Sequence, residues 1–326
     1  MASTGVVGYL NNNSAITVLL RADMDGLPIT EENDVDYRST HDGVMHACGH
    51  DAHMAILLGL IKYFYDNREK LKVNLKYMFQ PGEEGMGGAK RMIEEGILEG
   101  VNFAFALHVW NELEVGKIAL GWGPVMASSD SFEVEIIGKG AHAATPQLAN
   151  DPIITSTCFI NYVYTNFPRF FNDYILTFTY INAGSATNII PQRAFLRGTV
   201  RTFNEDNRKK LAVEFERSLR QICDLNNTRY VLRYIFGYPV LINDKKLYDL
   251  GFRVASELVG IENVVNFRSF GSEDMAFVMQ RVAGLYVAIG SGIGYPHHSP
   301  KFDINEKSLL IGFEFMRNLV LSLGVI

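Results

Sequence analysis

The chain has 326 residues, of which 48% are apolar and 20% are charged, and this composition excludes a disordered or fibrous protein. Thirty basic and thirty-six acidic side chains give a formal net charge of −6, so we predict no nucleic-acid partner. No apolar run reaches the roughly 18 residues that span a membrane, and the first twenty residues lack the basic start of a signal peptide. With an odd number of cysteines, three, the chain is expected to be a reduced, cytoplasmic protein without a membrane partner.

The first part of the chain alternates strands and helices as an α/β sheet does. Its apolar patterns predict strands at Val6–Leu10, Ala15–Arg21, Val73–Phe79 and Phe103–Val109, and helices at Ala52–Phe64 and Ala89–Glu95. Polar residues follow several of these strands. Because ligand sites of α/β sheets gather at the carboxyl ends of the strands, we predict a site there.

The pattern changes near Ser128. Strands are predicted at Phe132–Ile137, Ile175–Ile181, Ala194–Thr202 and Tyr230–Phe236, with helices that begin at Asp151-Pro152 and at Asn204. This order of strand, helix, two strands, helix and strand is the ferredoxin-like arrangement. The α/β pattern then resumes with helix Lys246–Leu258, strand Gly284–Ile289 and helix Glu306–Leu323.

The sequence therefore predicts an α/β fold made of two domains. Residues 1–127 and 239–326 are expected to form the larger domain, with a central, mostly parallel sheet. Residues 128–238 are expected to form an inserted α+β domain of the ferredoxin-like kind.

The densest cluster of reactive side chains lies between His46 and His53, where eight residues include one thiol, three imidazoles and one carboxylate. Cysteine and histidine together suit zinc, cobalt, nickel or manganese, and Gly49 would let the backbone turn so that Cys48 and His50 converge. Cys48 alone is better interpreted as a core residue, since free cysteine is often simply buried. The combination favours a metal site.

Glu83 and Glu84 form a second cluster, on a glycine-rich loop after a predicted strand. Adjacent carboxylates are usually a solvated turn, but one can also bind a metal ion while its neighbour acts as a general base. His108 and the pair His297-His298 are further candidates. The sequence has no Gly-x-Ser-x-Gly turn for a serine nucleophile and no Gly-Lys-Ser/Thr ending for a phosphate loop.

Nine short motifs then resemble one family of metal-dependent amidohydrolases, which includes hippurate hydrolases, N-acyl-amino-acid aminoacylases, N-acetyldiaminopimelate deacetylases and plant auxin–amino-acid conjugate hydrolases. The motifs occur in family order over nearly the whole chain, and together they are highly specific. They are RADMDGLPITE at 21–31, MHACGHDAHM at 45–54, QPGEE at 80–84, LHV at 107–109, GKGAHAATP at 138–146, NIIP at 188–191, GTVRT at 198–202, GSED at 271–274 and HHSPKF at 297–302.

The resemblance implies a centre of two divalent metal ions in the larger, catalytic domain, with manganese, zinc, cobalt or nickel as the ions. The implied ligands are Cys48, His50, Glu84, His108 and His298. Glu83 resembles the general base and acid of the family, and Asp25 resembles the acidic residue that orients a ligand histidine.

The resemblance also implies that the inserted domain is a lid and a homodimerisation domain, and it assigns roles to residues of that domain. His142 is similar to the histidine that stabilises the oxyanion, while Asn188 and Arg201 resemble groups that hold the substrate. Gly271 and Ser272 are expected to line the same pocket. The implied substrate is a small N-acyl amino acid whose amide bond is hydrolysed.

Two departures and three rival functions stay open at this point. Gln147 stands where many relatives have a histidine, and relatives carry a helical segment before the first strand pair, a segment that we expect to be absent here. The rivals within the class are an N-acetyldiaminopimelate deacetylase and a dipeptidase. The rival from another class is a catalytically impaired binding protein of the same fold, although the presence of Glu83 argues against it.

Overall fold

The computed structural model describes residues 1–323, and the chain divides into two compact units. One unit comprises Met1–Val125, Leu241–Arg268 and the chain from Glu273 onwards, and the other comprises Met126–Val240 and Ser269–Ser272. The predicted domain limits and the functions assigned to the two domains stay predictions. Among the helices of residues 1–323, none combines the length and the apolar content needed to cross a membrane.

Strands and helices are numbered here in chain order. The strands are β1 (Val6–Leu10), β2 (Thr17–Asp23), β3 (Asn74–Gln80), β4 (Phe103–Trp110), β5 (Ile118–Ala119), β6 (Gly123–Met126), β7 (Ser129–Ile137), β8 (Ala141–His142), β9 (Tyr174–Ala183), β10 (Ile189–Ile190), β11 (Arg193–Thr202), β12 (Arg229–Tyr238), β13 (Leu241–Asn243), β14 (Val264–Val265) and β15 (Ala283–Gly290). The helices are α1 (His50–Asp66), α2 (Gly88–Glu94), α3 (Pro152–Phe170), α4 (Glu205–Leu225), α5 (Lys245–Val259), α6 (Met275–Met279) and α7 (Lys307–Ser322).

The larger unit is built on a seven-stranded sheet with the strand order β1-β3-β2-β4-β15-β5-β14. The neighbours β3, β2, β4 and β15 run parallel to one another, whereas β1 is antiparallel to β3, and β5 is antiparallel to β15. This confirms the predicted fold class, an α/β protein with a mostly parallel central sheet. Strands β2 and β4 are almost completely buried, as strands covered on both faces must be.

Helices α1, α5 and α7 share one hydrophobic core with the central strands. Leu60 of α1, Val254 of α5 and Phe315 of α7 are each at most 4% exposed and belong to this core. In each helix the apolar residues recur at helical spacing and form one apolar face. This pattern made the helices predictable. The core therefore fixes the strands whose ends carry the polar residues.

The parallel register brings the carboxyl ends of β2, β3, β4 and β15 to one edge of the sheet. Asp23 lies opposite Gln80, and Gly290 lies opposite Trp110. The predicted end of the second strand at Arg21 is wrong by two residues, because β2 continues to Asp23, which is fully buried in an ion pair with Arg21. A buried charge with a partner can stay within a strand.

The smaller unit has the predicted order of strands and helices, β7-α3-β9-β11-α4-β12, with the short strands β8 and β10 in addition. Its four-stranded antiparallel sheet has the order β12-β7-β11-β9. Phe159 of α3 and Phe215 of α4 pack with Phe132 of β7, and all three rings are at most 1% exposed. Asp151 caps α3, as predicted, by accepting a hydrogen bond from the Ile153 amide.

Candidate metal centre

The segment between β2 and α1 brings Cys48, together with His50 at the start of α1, to the carboxyl edge of the sheet. Gly49 is the N-cap of α1 and adopts a left-handed conformation, with φ of +80°. A Cβ atom at this position would lie 2.3 Å from Cγ2 of Val109 on β4, so only glycine fits. Helix α1 therefore begins at His50, two residues before the predicted start, and the turn at Gly49 brings Cys48 and His50 together as predicted.

Cys48, His50 and His108 form the first group of possible ligands. All three are buried, and one donor atom from each lies within 4.8 Å of the others. The Nδ1 atom of His108 is 2.6 Å from the carbonyl oxygen of Val109, and Nδ1 of His50 is 3.0 Å from the carbonyl oxygen of Asp25. Because a carbonyl only accepts, each Nδ1 donates a hydrogen, and Nε2 is the ring nitrogen that remains for another partner.

Cys48 also belongs to a second group, with Glu84 and His298. The Nε2 atom of His298 lies 2.9 Å from Oε1 of Glu84. A third group joins His50, Glu83 and Glu84, again within 4.8 Å. All five predicted ligands therefore lie in groups that overlap at Cys48, His50 and Glu84.

The chemistry of these groups fits divalent cations. The Nε2 atom of His50 is buried and makes no hydrogen bond, although the residue is only 1% exposed. Burial raises the pKa of the Cys48 thiol, and the carboxylates of Glu84, Asp23 and Glu83 raise it further. The site therefore combines an unsatisfied imidazole nitrogen with an excess of negative charge, which is the environment that a cation bound by Cys, His and Glu would neutralise.

Asp25 contacts both His50 and the loop of Glu83 and Glu84. Its Oδ1 atom accepts a hydrogen bond from the Glu83 amide at 3.0 Å, and its Oδ2 atom accepts one from the Glu84 amide at 2.9 Å. Nδ1 of His50 lies 3.3 Å from Oδ1 of Asp25. Burial acts to raise the pKa of Asp25, but the hydrogen bonds from His50 and from the two amides hold it below its usual value. Asp25 thus contacts His50, which remains the histidine it is predicted to orient, and it also holds the loop of both glutamates.

Glu83 is the less exposed of the two adjacent glutamates, with 8% of its surface accessible to solvent. Burial raises its pKa well above the usual value, and the carboxylates of Glu273 and Asp274 raise it further. A carboxylate with a raised pKa is a stronger base, and one carboxylate oxygen of each of these three residues lies within 4.8 Å of the others. The environment of Glu83 is therefore compatible with the predicted role of general base.

A buried charge network behind Glu83 was not predicted. Arg21 lies at its centre, with Nη1 at 2.7 Å from Asp23, and Nη2 at 2.8 Å from Glu273 and 3.0 Å from Asp274. Gln80 accepts from Nε of Arg21 at 2.9 Å and donates to Asp274 at 2.8 Å. The signal for this network in the sequence is the pair of charged residues Arg21 and Asp23 at the end of an otherwise largely apolar strand.

His53 lies in the motif at 45–54 and has no predicted function. Its Nδ1 atom lies 2.6 Å from Oδ1 of Asp23, and its Nε2 atom accepts a hydrogen bond from the Val109 amide at 3.0 Å. His53 and His50 are three residues apart in the first turn of α1, so they lie on the same face of the helix. His53 therefore connects the network of Arg21 to the end of β4.

The smaller unit holds the other predicted site residues. His142 on β8 and Ile189 on β10 are paired, and the Ala143 amide donates to the carbonyl oxygen of Asn188 at 2.9 Å. His142 also lines a cavity of about 710 Å³ within this unit. His142 and Asn188 are exposed neighbours in the smaller unit.

Arg201 lies in another part of the same unit. Its Nη1 atom donates to the carbonyl oxygen of Phe270 at 2.9 Å, beside Gly271 and Ser272 in the sequence. The amide of Gly271 donates to Oγ of Ser269 at 3.0 Å. The structure thus brings Arg201 to the segment of Gly271 and Ser272, and it pairs His142 with the region of Asn188.

Comparison with known proteins identifies the family. The model of peptidase family M20/M25/M40 matches residues 19–322. The chain is 36% identical to IAA-amino acid hydrolase ILR1-like 4 of Arabidopsis thaliana, over 96% of this chain and 74% of that protein, and 36% identical to N-acetyl-L-cysteine deacetylase of Bacillus subtilis, over 96% and 76%. It also resembles the crystal structure of the Bacillus subtilis YXEP protein, a dinuclear metal-binding peptidase of family M20, with a TM-score of 0.87 and 30% identity over 98% of this chain and 85% of that one. The chain therefore belongs to peptidase family M20/M25/M40 and is a hydrolase of amide bonds.

Proposed function

We propose that this protein hydrolyses the amide bond between an acyl group and an amino acid, with two divalent metal ions per chain. The observation that carries the proposal is the position of Glu83, buried beside His50 and Glu84 yet outside the two groups that share Cys48. A protein that only binds metal needs no such carboxylate. The names of the hydrolase and deacetylase relatives support an N-acyl amino acid as the substrate.

The proposed ligands are the five residues of the overlapping groups, Cys48, His50, Glu84, His108 and His298. Bound ions would supply Lewis acidity at the amide carbonyl and would make a water molecule a better nucleophile. Manganese, zinc, cobalt and nickel all suit this mixture of thiolate, imidazole and carboxylate. The Bacillus subtilis YXEP protein is a dinuclear metal-binding peptidase, and this similarity supports the number of ions.

Glu83 takes the proton from the attacking water and passes it to the nitrogen of the leaving amine. Asp25 keeps Glu83 in place, because it binds the amides of Glu83 and Glu84 at 3.0 and 2.9 Å. Burial of Glu83 excludes competing solvent from its carboxylate. A base with a raised pKa holds the proton long enough to deliver it to the amine.

The smaller unit supplies the proposed substrate contacts. The guanidinium of Arg201 suits the carboxylate of an amino acid, and Asn188, Gly271 and Ser272 would complete this contact. His142 would stabilise the oxyanion that forms at the carbonyl. A homodimer formed through residues 128–238 and a cytoplasmic location are further parts of the proposal, and sedimentation velocity would test the dimer.

The experiment compares Glu83→Gln with Glu84→Gln, measuring both bound metal and hydrolysis of N-acetyl, N-benzoyl, diaminopimelate and dipeptide substrates. Glu83→Gln should keep its metal and lose roughly 10²–10⁴-fold in rate. Glu84→Gln should lose metal, since it removes a ligand. Glu94→Gln, an exposed glutamate of α2, serves as the control and should behave as wild type.

Equal loss of metal in both variants would contradict the separate roles of the two glutamates. Absence of hydrolysis with every N-acyl amino acid, in a wild-type protein that holds two ions, would contradict the proposed substrate class. Turnover confined to the dipeptide or to the diaminopimelate derivative would favour the corresponding rival function.

A further inference from the structure

Three histidines contact the backbone of one residue, Val109, near the end of β4. The carbonyl oxygen of Val109 is 2.6 Å from Nδ1 of His108 and 3.1 Å from Nε2 of His297, while the amide donates to Nε2 of His53 at 3.0 Å. A carbonyl oxygen has two lone pairs and only accepts, so both ring nitrogens carry hydrogens. The N–H and the carbonyl oxygen of Val109 are therefore both hydrogen-bonded, and His297 occupies one of the two acceptor positions of the oxygen.

His297 is held by its ring as well as by its N–H group. Its centroid lies 5.1 Å from that of Trp110, 5.1 Å from that of Phe302 and 5.3 Å from that of His108. These distances are typical of packed aromatic pairs. The hydrogen bond and the ring contacts together attach the loop after β15 to the end of β4.

The next residue, His298, has a strained backbone. Its φ is +65°, in the left-handed region that residues with a Cβ atom rarely adopt. Such a conformation persists only where the surroundings hold it. The His298 amide donates to the carbonyl oxygen of Ala47 at 2.8 Å, and its Nε2 atom lies 2.9 Å from Glu84, but half of the side chain is exposed. The residue immediately before His298 is His297, which is hydrogen-bonded to Val109.

We propose that His297 is a positioning residue for two metal ligands, His108 and His298. It keeps the Val109 carbonyl oriented toward Nδ1 of His108, so that Nε2 of His108 carries no hydrogen and contacts Sγ of Cys48 at 3.5 Å. It also holds the backbone from which His298 reaches Glu84. The inference rests on the proposed function, because the two residues are ligands only under that proposal.

The test compares two variants that each keep one half of the His297 interactions. His297→Gln supplies an N–H group near the position of Nε2 without the ring, and His297→Phe supplies the ring without the N–H group. Affinity for Co²⁺ is measured by competition with a chelator, together with the absorption spectrum of the Co²⁺ protein. His41→Gln changes an exposed histidine outside the centre and is the control.

His297→Phe should weaken Co²⁺ binding by about 10–100-fold, the usual effect of removing an outer-shell hydrogen bond, and should alter the Co²⁺ spectrum. His297→Gln should stay closer to wild type, because the hydrogen bond to Val109 is restored. If the order is reversed, His297 acts by packing of its ring and the inference is wrong. If neither variant differs from His41→Gln, His297 does not affect the metal ligands, and the inference is again wrong.

A readout without metal separates this inference from the proposed function. The ¹⁵N shifts of histidine rings in the metal-free protein report which nitrogen of His108 carries hydrogen. In wild type and in His297→Gln it should be Nδ1, and in His297→Phe the Nδ1–H form should no longer predominate. If the wild-type protein binds no ion but the tautomer of His108 still changes in His297→Phe, the proposed function is refuted and the positioning role is kept. If the tautomer is the same in wild type and in His297→Phe, the positioning role is refuted.

Discussion

Replacing Asp25 with asparagine should expose how one carboxylate organises the centre. The two oxygens of Asp25 accept hydrogen bonds from different amides, Oδ1 from Glu83 and Oδ2 from Glu84. Asparagine has one oxygen, and its NH₂ group cannot accept, so one of the two amides must lose its partner. A buried N–H group without an acceptor costs about 1–3 kcal/mol, and we expect the free energy of unfolding to fall by that amount.

Asp244→Asn is a matched control, because this residue also binds two backbone amides, those of Lys246 and Leu247, at the start of α5. There, both amides donate to the same oxygen, Oδ1, at 2.9 and 3.1 Å. Asparagine retains that oxygen and is as good an N-cap as aspartate. The control should therefore change the free energy of unfolding by less than about 0.5 kcal/mol.

The assay is urea unfolding followed by circular dichroism in the presence of a chelator, so that ion binding adds no stability. With metal restored, Asp25→Asn should also lower the rate of amide hydrolysis, because the loop of Glu83 and Glu84 loses one of its two attachments. Equal stability losses in the two variants, or an unchanged Asp25→Asn protein, would refute the argument from the two oxygens.

Three further predictions concern the metal ions, the half-exposed ligand His298 and the first glycine of α2. Removal of divalent ions by a chelator should abolish hydrolysis, and zinc, manganese, cobalt or nickel should restore it; full activity with one equivalent per chain would contradict the two-ion centre. The hydrogen bond to Glu84 raises the pKa of His298, so its stabilisation is present below about pH 6.5 and is lost as the pH rises through the raised value. In chelated protein, His298→Gln should therefore destabilise more at about pH 6 than at about pH 9, as measured by urea unfolding. Gly88→Ala would place a Cβ atom 1.6 Å from the carbonyl oxygen of Pro81. Since a backbone oxygen cannot move aside as a flexible side chain can, the free energy of unfolding measured in urea should fall by about 1–3 kcal/mol or more.

Features that depend on residues near one another in the chain were predictable. The alternation of strands and helices, the cap at Asp151 and the turn at Gly49 each arise from local backbone preferences, and the structure shows all of them. The clusters at 46–53 and at Glu83-Glu84 were visible because their members are adjacent in sequence. The resemblance then identified His108 and His298, which the spacing of residues could not connect to Cys48.

Only the tertiary structure shows which distant residues share a buried environment. Arg21 and Glu273 are 252 positions apart, yet they form an ion pair with almost no exposed side-chain surface. In the sequence each is a charged residue of the kind usually found in solvent. His297 likewise becomes a partner of Val109 only because β4 and β15 are parallel neighbours. Local preferences determine the elements, whereas the order and register of the strands determine which side chains meet at their ends.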